Sequence, residues 1–241
     1  RGRGGLGRAP PTPRGVPARA NRFESHVQEL QNDMIRKCEE MDASSSTFRV
    51  DPWRRENDKG FGCTCVLEGG ELFEKAAVNV TILKDVLSEE RAKAMSGRGR
   101  QGIAASGGQP YEAAALSLVF HPQSPLIPTL RADIRRFKVG SREWYGGGCD
   151  ITPVYIFEED IRQFHKYWKD KCPSPDVYTQ FKTWCDDYFY LPARGEHRGA
   201  GGLFFDDLEP GEVDYDVESF ARDFSNGILA SWSPIVEKRR S

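Results

Sequence analysis

From Asn21 to Asp42 apolar side chains recur at Phe23, Val27, Leu30, Met34, Cys38 and Met41, steps of three and four that draw one stripe along a helix. The period then shortens. Phe61 to Leu67 and Leu72 to Leu83 are β-rich runs flanking Glu68-Gly69-Gly70-Glu71, a pattern that predicts a hairpin. Lys84 to Met95 predicts a short charged helix, and Ser96 to Pro110, with five glycines and no apolar period, predicts a loop or a disordered insert. Ala115 to His121, Thr129 to Val139 and Ile151 to Ile156 predict three more strands, the last two joined by the connector Gly140 to Asp150. Glu158 to Lys171 and Asp176 to Tyr190 return to helical spacing, Leu203 to Phe205 is a short strand, and Asp216 to about Trp232 is a last helix.

Connections between the central strands are too short for crossover helices, so neighbours should pair antiparallel. Strands dominate the first half and helices the second. The class predicted is α+β: one broad antiparallel sheet flanked by helices, in a single domain over residues 21–241.

Charge and composition narrow the function. Lys and Arg total 34 against 36 Asp and Glu, which gives no global basic field for nucleic acid or an anionic membrane surface. No run approaches the roughly 20 apolar residues of a membrane span. Residues 1–20 carry five arginines and no acid, which fits an organellar transit peptide, with a plain basic tail as the alternative. The six cysteines form no CxxC pair and no zinc spacing, so packed thiols in a reducing compartment are expected. No two of the four histidines have local chelating spacing, and no nucleophile elbow or dinucleotide fingerprint is present.

Three segments carry candidate chemistry. In PTLRADIRRFKV, alternation puts Arg131, Asp133 and Arg135 on one face and Leu130, Ala132 and Ile134 on the other. A solvated edge strand would show the same pattern. The nearly apolar LSLVF just upstream instead suggests a strand pair buried on one side, where arginines imply anions or carboxylate partners. In GGGCDITP, three glycines allow close backbone approach and present Asp150 to hydrogen-bond donors, or simply make a turn. In LPARGEHRGAGGLFFDDLE, Arg194 and Arg198 precede the acids Asp206 and Asp207, which fits a loop held by salt bridges or a general-base site.

FEKAAVNVT, LSLVFHPQSPLIPTLRADIRRF, WYGGGCDITPVYIFEEDIRQFH, FKTWCDDYFYLPARGEHRGAGGLFFDDLE and PIVEKR stand in an order and spacing that resemble the oxygen-dependent coproporphyrinogen III oxidases, from about Asn21 to Lys238. The resemblance implies decarboxylation of two propionates of coproporphyrinogen III to vinyl groups, with molecular oxygen as co-substrate, no metal and no organic cofactor. It also implies a homodimer and an organellar location, a plastid before a mitochondrion. By the same resemblance Asp150 meets the pyrrole nitrogens, Ser117 and Arg135 contact substrate, and residues Asp133, Ile134 and Arg135 stand for an Asn-x-Arg triplet. His121 and His165 match family positions, and Arg194 and Arg198 are secondary candidates.

Departures accompany the resemblance. Arg131 stands where the family has a proton-donating histidine, and a guanidinium does not give up a proton near neutral pH. Asp133 replaces the asparagine, and pairing with Arg131 would cancel its charge. Ala193 replaces a histidine before Arg194, which weighs against a metal site there. Since family members continue past the position of Ser241, a sheet lacking its last strands is expected. That leaves a non-catalytic tetrapyrrole-binding paralogue or an inactive fragment as the alternative reading.

Overall fold

The computed structural model describes residues 22–96 and 102–240; the basic leader over 1–20 and part of the predicted loop at 96–110 lie outside them. Helix α1 (Arg22–Asp42) buries the predicted stripe of Phe23, Val27, Leu30, Met34 and Cys38. Then come β1 (Arg49–Arg54), β2 (Gly60–Glu68), β3 (Phe73–Val86), α2 (Glu89–Ser96), β4 (Pro110–Pro122), β5 (Thr129–Val139) and β6 (Arg142–Thr152). The second half holds α3 (Glu158–Lys171), α4 (Pro175–Tyr188), the small hairpin β7 (Tyr190–Leu191) and β8 (Glu196–His197), β9 (Gly201–Leu208) and α5 (Val217–Arg240). Seven strands form one antiparallel sheet in the order β1-β2-β3-β4-β5-β6-β9, so the α+β class with a broad antiparallel sheet holds.

The pleat separates two faces. On one, Val78, Val80, Leu116, Leu118, Phe120, Leu130, Ile134, Cys149, Ile151, Leu203 and Phe205 join a core that α1, α3, α4 and α5 cover. Trp232 of α5 is fully buried, donating its indole N–H to the Pro128 carbonyl at 2.9 Å beside Phe73 and Phe120. On the other face, α2 covers a smaller core of Leu87, Ala92, Ile103, Tyr111, Ala113, Val139 and Trp144 at one end, and the rest is open.

Several boundaries differ from the sequence reading. The predicted connector 140–150 is mostly strand β6, and the strand predicted over Ile151–Ile156 ends at Thr152. Three glycines read as a turn because glycine weakens strands, yet here Gly146 leaves room for the Arg135 and Asp206 side chains, and Gly147 and Gly148 lie against Phe205 and Phe204 and the carbonyls of the neighbouring strands. Lys84 to Val86 remain in β3, paired with Pro110 to Glu112, so α2 begins only at Glu89 and β4 begins earlier than expected. Edge strand β1 was not predicted, because it carries Pro52 and is exposed on both faces. Helix α5 runs through Pro234 to Arg240. Proline removes one helical donor, but Lys238 and Arg239 bind Glu159 and Asp160 at the start of α3, and Arg240 donates to the Met41 and Asp42 carbonyls at the end of α1.

Asp42 fixes the hairpin to the helix layer. Its fully buried carboxylate accepts the backbone N–H groups of Glu71, Leu72 and Phe73 at 3.0–3.1 Å, and a Cβ at Gly70 would stand 2.2 Å from Oδ2. Burial alone would raise this carboxyl, but the bonds from Ser44 and the three amides outweigh it and hold it below the ordinary range. Replacing Asp42 by Ala should cost about 3 kcal/mol, read as a lowered denaturant midpoint, since three amides lose a charged acceptor. A folded pKa below the unfolded one means this contribution is present above the ordinary aspartate range and is lost as pH falls through the lowered value. Asp42→Ala should therefore show a flatter acid limb in its stability profile than the parent chain; equal limbs would contradict this.

Candidate functional site

The open face of the sheet holds a cavity of about 540 Å³, within the range of roughly 300–1,000 Å³ usual for small-molecule sites. Its floor follows from register. One cross-strand row runs Asn79, Ser117, Asp133, Gly148, Phe204; the next runs Ala77, Val119, Arg131, Asp150, Gly202; a third brings Thr81, Ala115, Arg135 and Gly146 into line. Tyr188 and Phe189, at the end of α4, and Arg198, before β9, form a wall. Alternation thus assembles Ser117, Arg131, Asp133, Arg135 and Asp150 in one place from three strands.

Asp150 is 3% exposed and is held by Arg198, whose Nη2 reaches both carboxylate oxygens at 2.9 Å while Nε lies 3.3 Å from Oδ2. The Arg198 guanidinium also lies 3.6 Å from the ring centre of Phe189, a cation–π contact that fixes its plane. Burial raises the Asp150 carboxyl, and the charges of Arg198 and Arg131 offset that only in part. Asp150 thus sits where an aspartate is reluctant to ionise and is kept within reach of cations.

Arg135 is the second anchored cation. It pairs with Asp133 two residues back and with Asp206 of β9 at 3.4 Å, and it lies 5.7 Å from the ring centre of Phe204. To reach Asp206 its side chain crosses β6 at Gly146, where a Cβ would stand 2.4 Å from Asp206 Oδ1 and 2.8 Å from Arg135 Nε. Glycine is required there by the arginine, not by a turn. Burial raises the Asp133 carboxyl, Arg135 offsets it in part, and the like charge of Asp206 adds to it. The expected pairing of Asp133 with Arg131 is not what forms: both arginines are i,i+2 neighbours on its face, and Asp133 bonds Arg135, the more buried of the two. Arg136, one step further, turns to the covered face, where it pairs with Glu112 and Glu143.

Ser117 is exposed on the floor and lines the cavity. Ile134 does not: its side chain is fully buried in the core on the opposite face, as period-two alternation requires. His121 stands exposed at the end of β4, outside the cavity lining. His165 ties elements together, bonding Tyr178 Oη at 3.1 Å and the Ala200 carbonyl at 3.0 Å, with burial holding its pKa down. Arg194 is exposed and pairs with Glu196 at 2.6 Å, away from the cavity. No group of three or more His, Cys, Asp or Glu side chains among the described residues is close enough to hold a metal ion, and none of the described helices is long and apolar enough to cross a membrane.

Sequence reasoning missed Asn79, Tyr188, Phe189 and Phe204. Asn79 had a signal, because an amide alternating with Val78 and Val80 must face away from the core. The aromatics had none, since a helix end and a glycine-rich strand say nothing about which ring meets which arginine.

Comparison with known proteins agrees with this arrangement. A family model described as coproporphyrinogen III oxidase matches residues 22–241. The mitochondrial oxygen-dependent coproporphyrinogen-III oxidase of Rattus norvegicus is 39% identical over 224 residues, covering 90% of this chain and 50% of the rat protein. The chloroplastic oxygen-dependent coproporphyrinogen-III oxidase of Glycine max is 40% identical over 233 residues, covering 91% of this chain and 58% of the soybean protein. The oxygen-dependent enzyme of Drosophila melanogaster is 35% identical over 228 residues. The chain thus spans about half the length of the curated relatives it matches. With a match over nearly all its described residues, and with the paired aspartates and arginines on one open sheet face, the chain belongs to the coproporphyrinogen III oxidase family.

Proposed function

We propose that this protein converts two propionates of coproporphyrinogen III to vinyl groups, giving protoporphyrinogen IX, with molecular oxygen as co-substrate and no further cofactor. The observation that carries the reading is Asp150, a buried carboxylate facing a cavity lined by three arginines and one serine hydroxyl. A tetrapyrrole with four carboxylates at its rim and four N–H donors at its centre needs that combination. Each vinyl group forms when a propionate loses carbon dioxide and a β-hydrogen, and the two electrons released reduce oxygen to the level of peroxide.

Electrons come from the reduced pyrrole, so the protein's work is binding and electrostatics. Asp150 accepts the pyrrole N–H and stabilises positive charge as it develops on the ring. Ser117 and Arg135 hold the substrate rim. Asp133 keeps Arg135 in place, and Ile134 enters only by anchoring that strand in the core. Homodimerisation belongs to the same proposal on the family resemblance alone; an organellar site, a plastid before a mitochondrion, is supported by the acid-free, arginine-rich residues 1–20 and by the chloroplastic and mitochondrial names of relatives.

Aerobic incubation of the chain with coproporphyrinogen III should yield protoporphyrinogen IX, and Asp150→Asn should lower kcat about a hundredfold. Because the ionised form is required and its pKa is raised, activity should fall with acid at a pH above the ordinary aspartate value of about 3.9. Recovery of only coproporphyrinogen III and its air-oxidation product coproporphyrin III, with no vinyl-bearing product, would refute the reading. Gly146→Ala should raise KM about tenfold, because the added methyl forces the Arg135 and Asp206 side chains that meet there out of their pairing, and it should cost about 1–3 kcal/mol of stability as overpacking does. Unchanged KM would show that Arg135 does not hold the substrate.

A further inference from the structure

Three arginines line the cavity, and they are not equivalent. Arg135 is held by Asp133 and Asp206, and Arg198 is held by both oxygens of Asp150 and stacked on Phe189. Arg131 has no carboxylate partner among the described residues and is exposed. An arginine already shared by two acids brings little net charge to an incoming anion, and drawing a half-buried guanidinium away from its carboxylate leaves that carboxylate short of a partner. The cavity's available cation is therefore Arg131.

Its place strengthens the point. Arg131 lies opposite Asp150 on β6 and opposite Val119 on β4, and it shares its face with Asp133. Arg131 and Asp150 are cross-strand partners lining one cavity, so the arginine stands beside the carboxylate assigned to the ligand's centre. A guanidinium cannot act as an acid near neutral pH, but its fork of N–H groups matches a carboxylate in bidentate fashion. The chemistry open to this position is anion holding.

We infer that Arg131 is the residue that recognises a substrate carboxylate in this protein, a specificity-determining anchor at the position where the resemblance places a proton donor. The inference rests on the tetrapyrrole reading above. It assigns the first carboxylate contact to Arg131 and leaves Arg135 and Arg198 bound to their own acids until the ring is seated. Discrimination between a free acid and its ester at this point of the cavity then depends on one side chain.

The test is a fluorescence titration of the chain with coproporphyrin III and, separately, with its tetramethyl ester, which keeps the ring and removes the charges. The parent chain should bind the acid at least about tenfold more tightly than the ester, as one charge-assisted pair allows. Arg131→Gln should erase that preference and leave ester binding within twofold, whereas Arg131→Lys should restore part of it. Arg131→His should bind the acid only while the imidazole is charged, so its affinity should fall as pH rises past roughly 6.5, as modified by Asp133 and Asp150 beside it and Arg135 and Arg198 beyond. Neither the parent nor Arg131→Lys should show that dependence. An Arg131→Gln protein that keeps the full preference for the acid would overturn the inference and pass the role to Arg135 or Arg198. A parent chain that binds neither compound would overturn the tetrapyrrole reading itself, and this inference with it. Thermal unfolding of each variant, expected within a degree or two of the parent for an exposed strand residue, ensures that lost binding is not lost fold.

Discussion

The pleat of the central sheet is the constraint on which the rest depends. Successive residues of β5 must face opposite sides, and the antiparallel register fixes which residues of β4 and β6 stand beside them. Because Leu130, Ala132 and Ile134 are drawn into the helix-covered core, Arg131, Asp133 and Arg135 have no choice but the open face. Asp150 and Gly148 follow by pairing, and Ser117 and Asn79 follow on the other side. A register slip of one residue would bury three charges and expose the core, so the energy that stabilises the fold is the same energy that assembles the cavity.

Charge on that face is nearly balanced before any ligand arrives. Arg135 is divided between two aspartates, and Arg198 grips both oxygens of Asp150, the carboxylate proposed above to meet the ligand's centre. Such pairs add little to stability when the desolvation of both partners is counted, but they hold long side chains in one geometry. The arrangement is preorganised for a ligand that carries both anionic groups and N–H donors. A purely anionic ligand would meet two acids there, and a neutral one would find no use for the arginines.

The architecture was legible in the sequence because its cause is local. Helical spacing at Phe23 to Cys38, the β-rich runs of β3 and β4 and the alternation along β5 report burial directly, and short connections dictate antiparallel pairing. The candidate residues Arg131, Asp133 and Arg135 were legible for the same reason, whereas Asp150 was singled out by the glycines before it and placed on a connector that is strand β6. Partnerships were not. That Asp133 bonds Arg135 in place of Arg131, that Arg198 chelates Asp150, and that Gly146 exists to let a side chain cross all depend on rotamers and on β9, which arrives at β6 from more than fifty residues away in sequence. The triple glycine was misread for a related reason: its cost to a strand is local, and its benefit is tertiary.

A structure of the chain bound to coproporphyrin III tests the central claim most directly. The account predicts the macrocycle lying on the row formed by Asn79, Ser117, Asp133 and Gly148, its nitrogens toward Asp150 and a propionate on Arg131. A ring seated away from that face, or one whose nitrogens turn from Asp150, would contradict it.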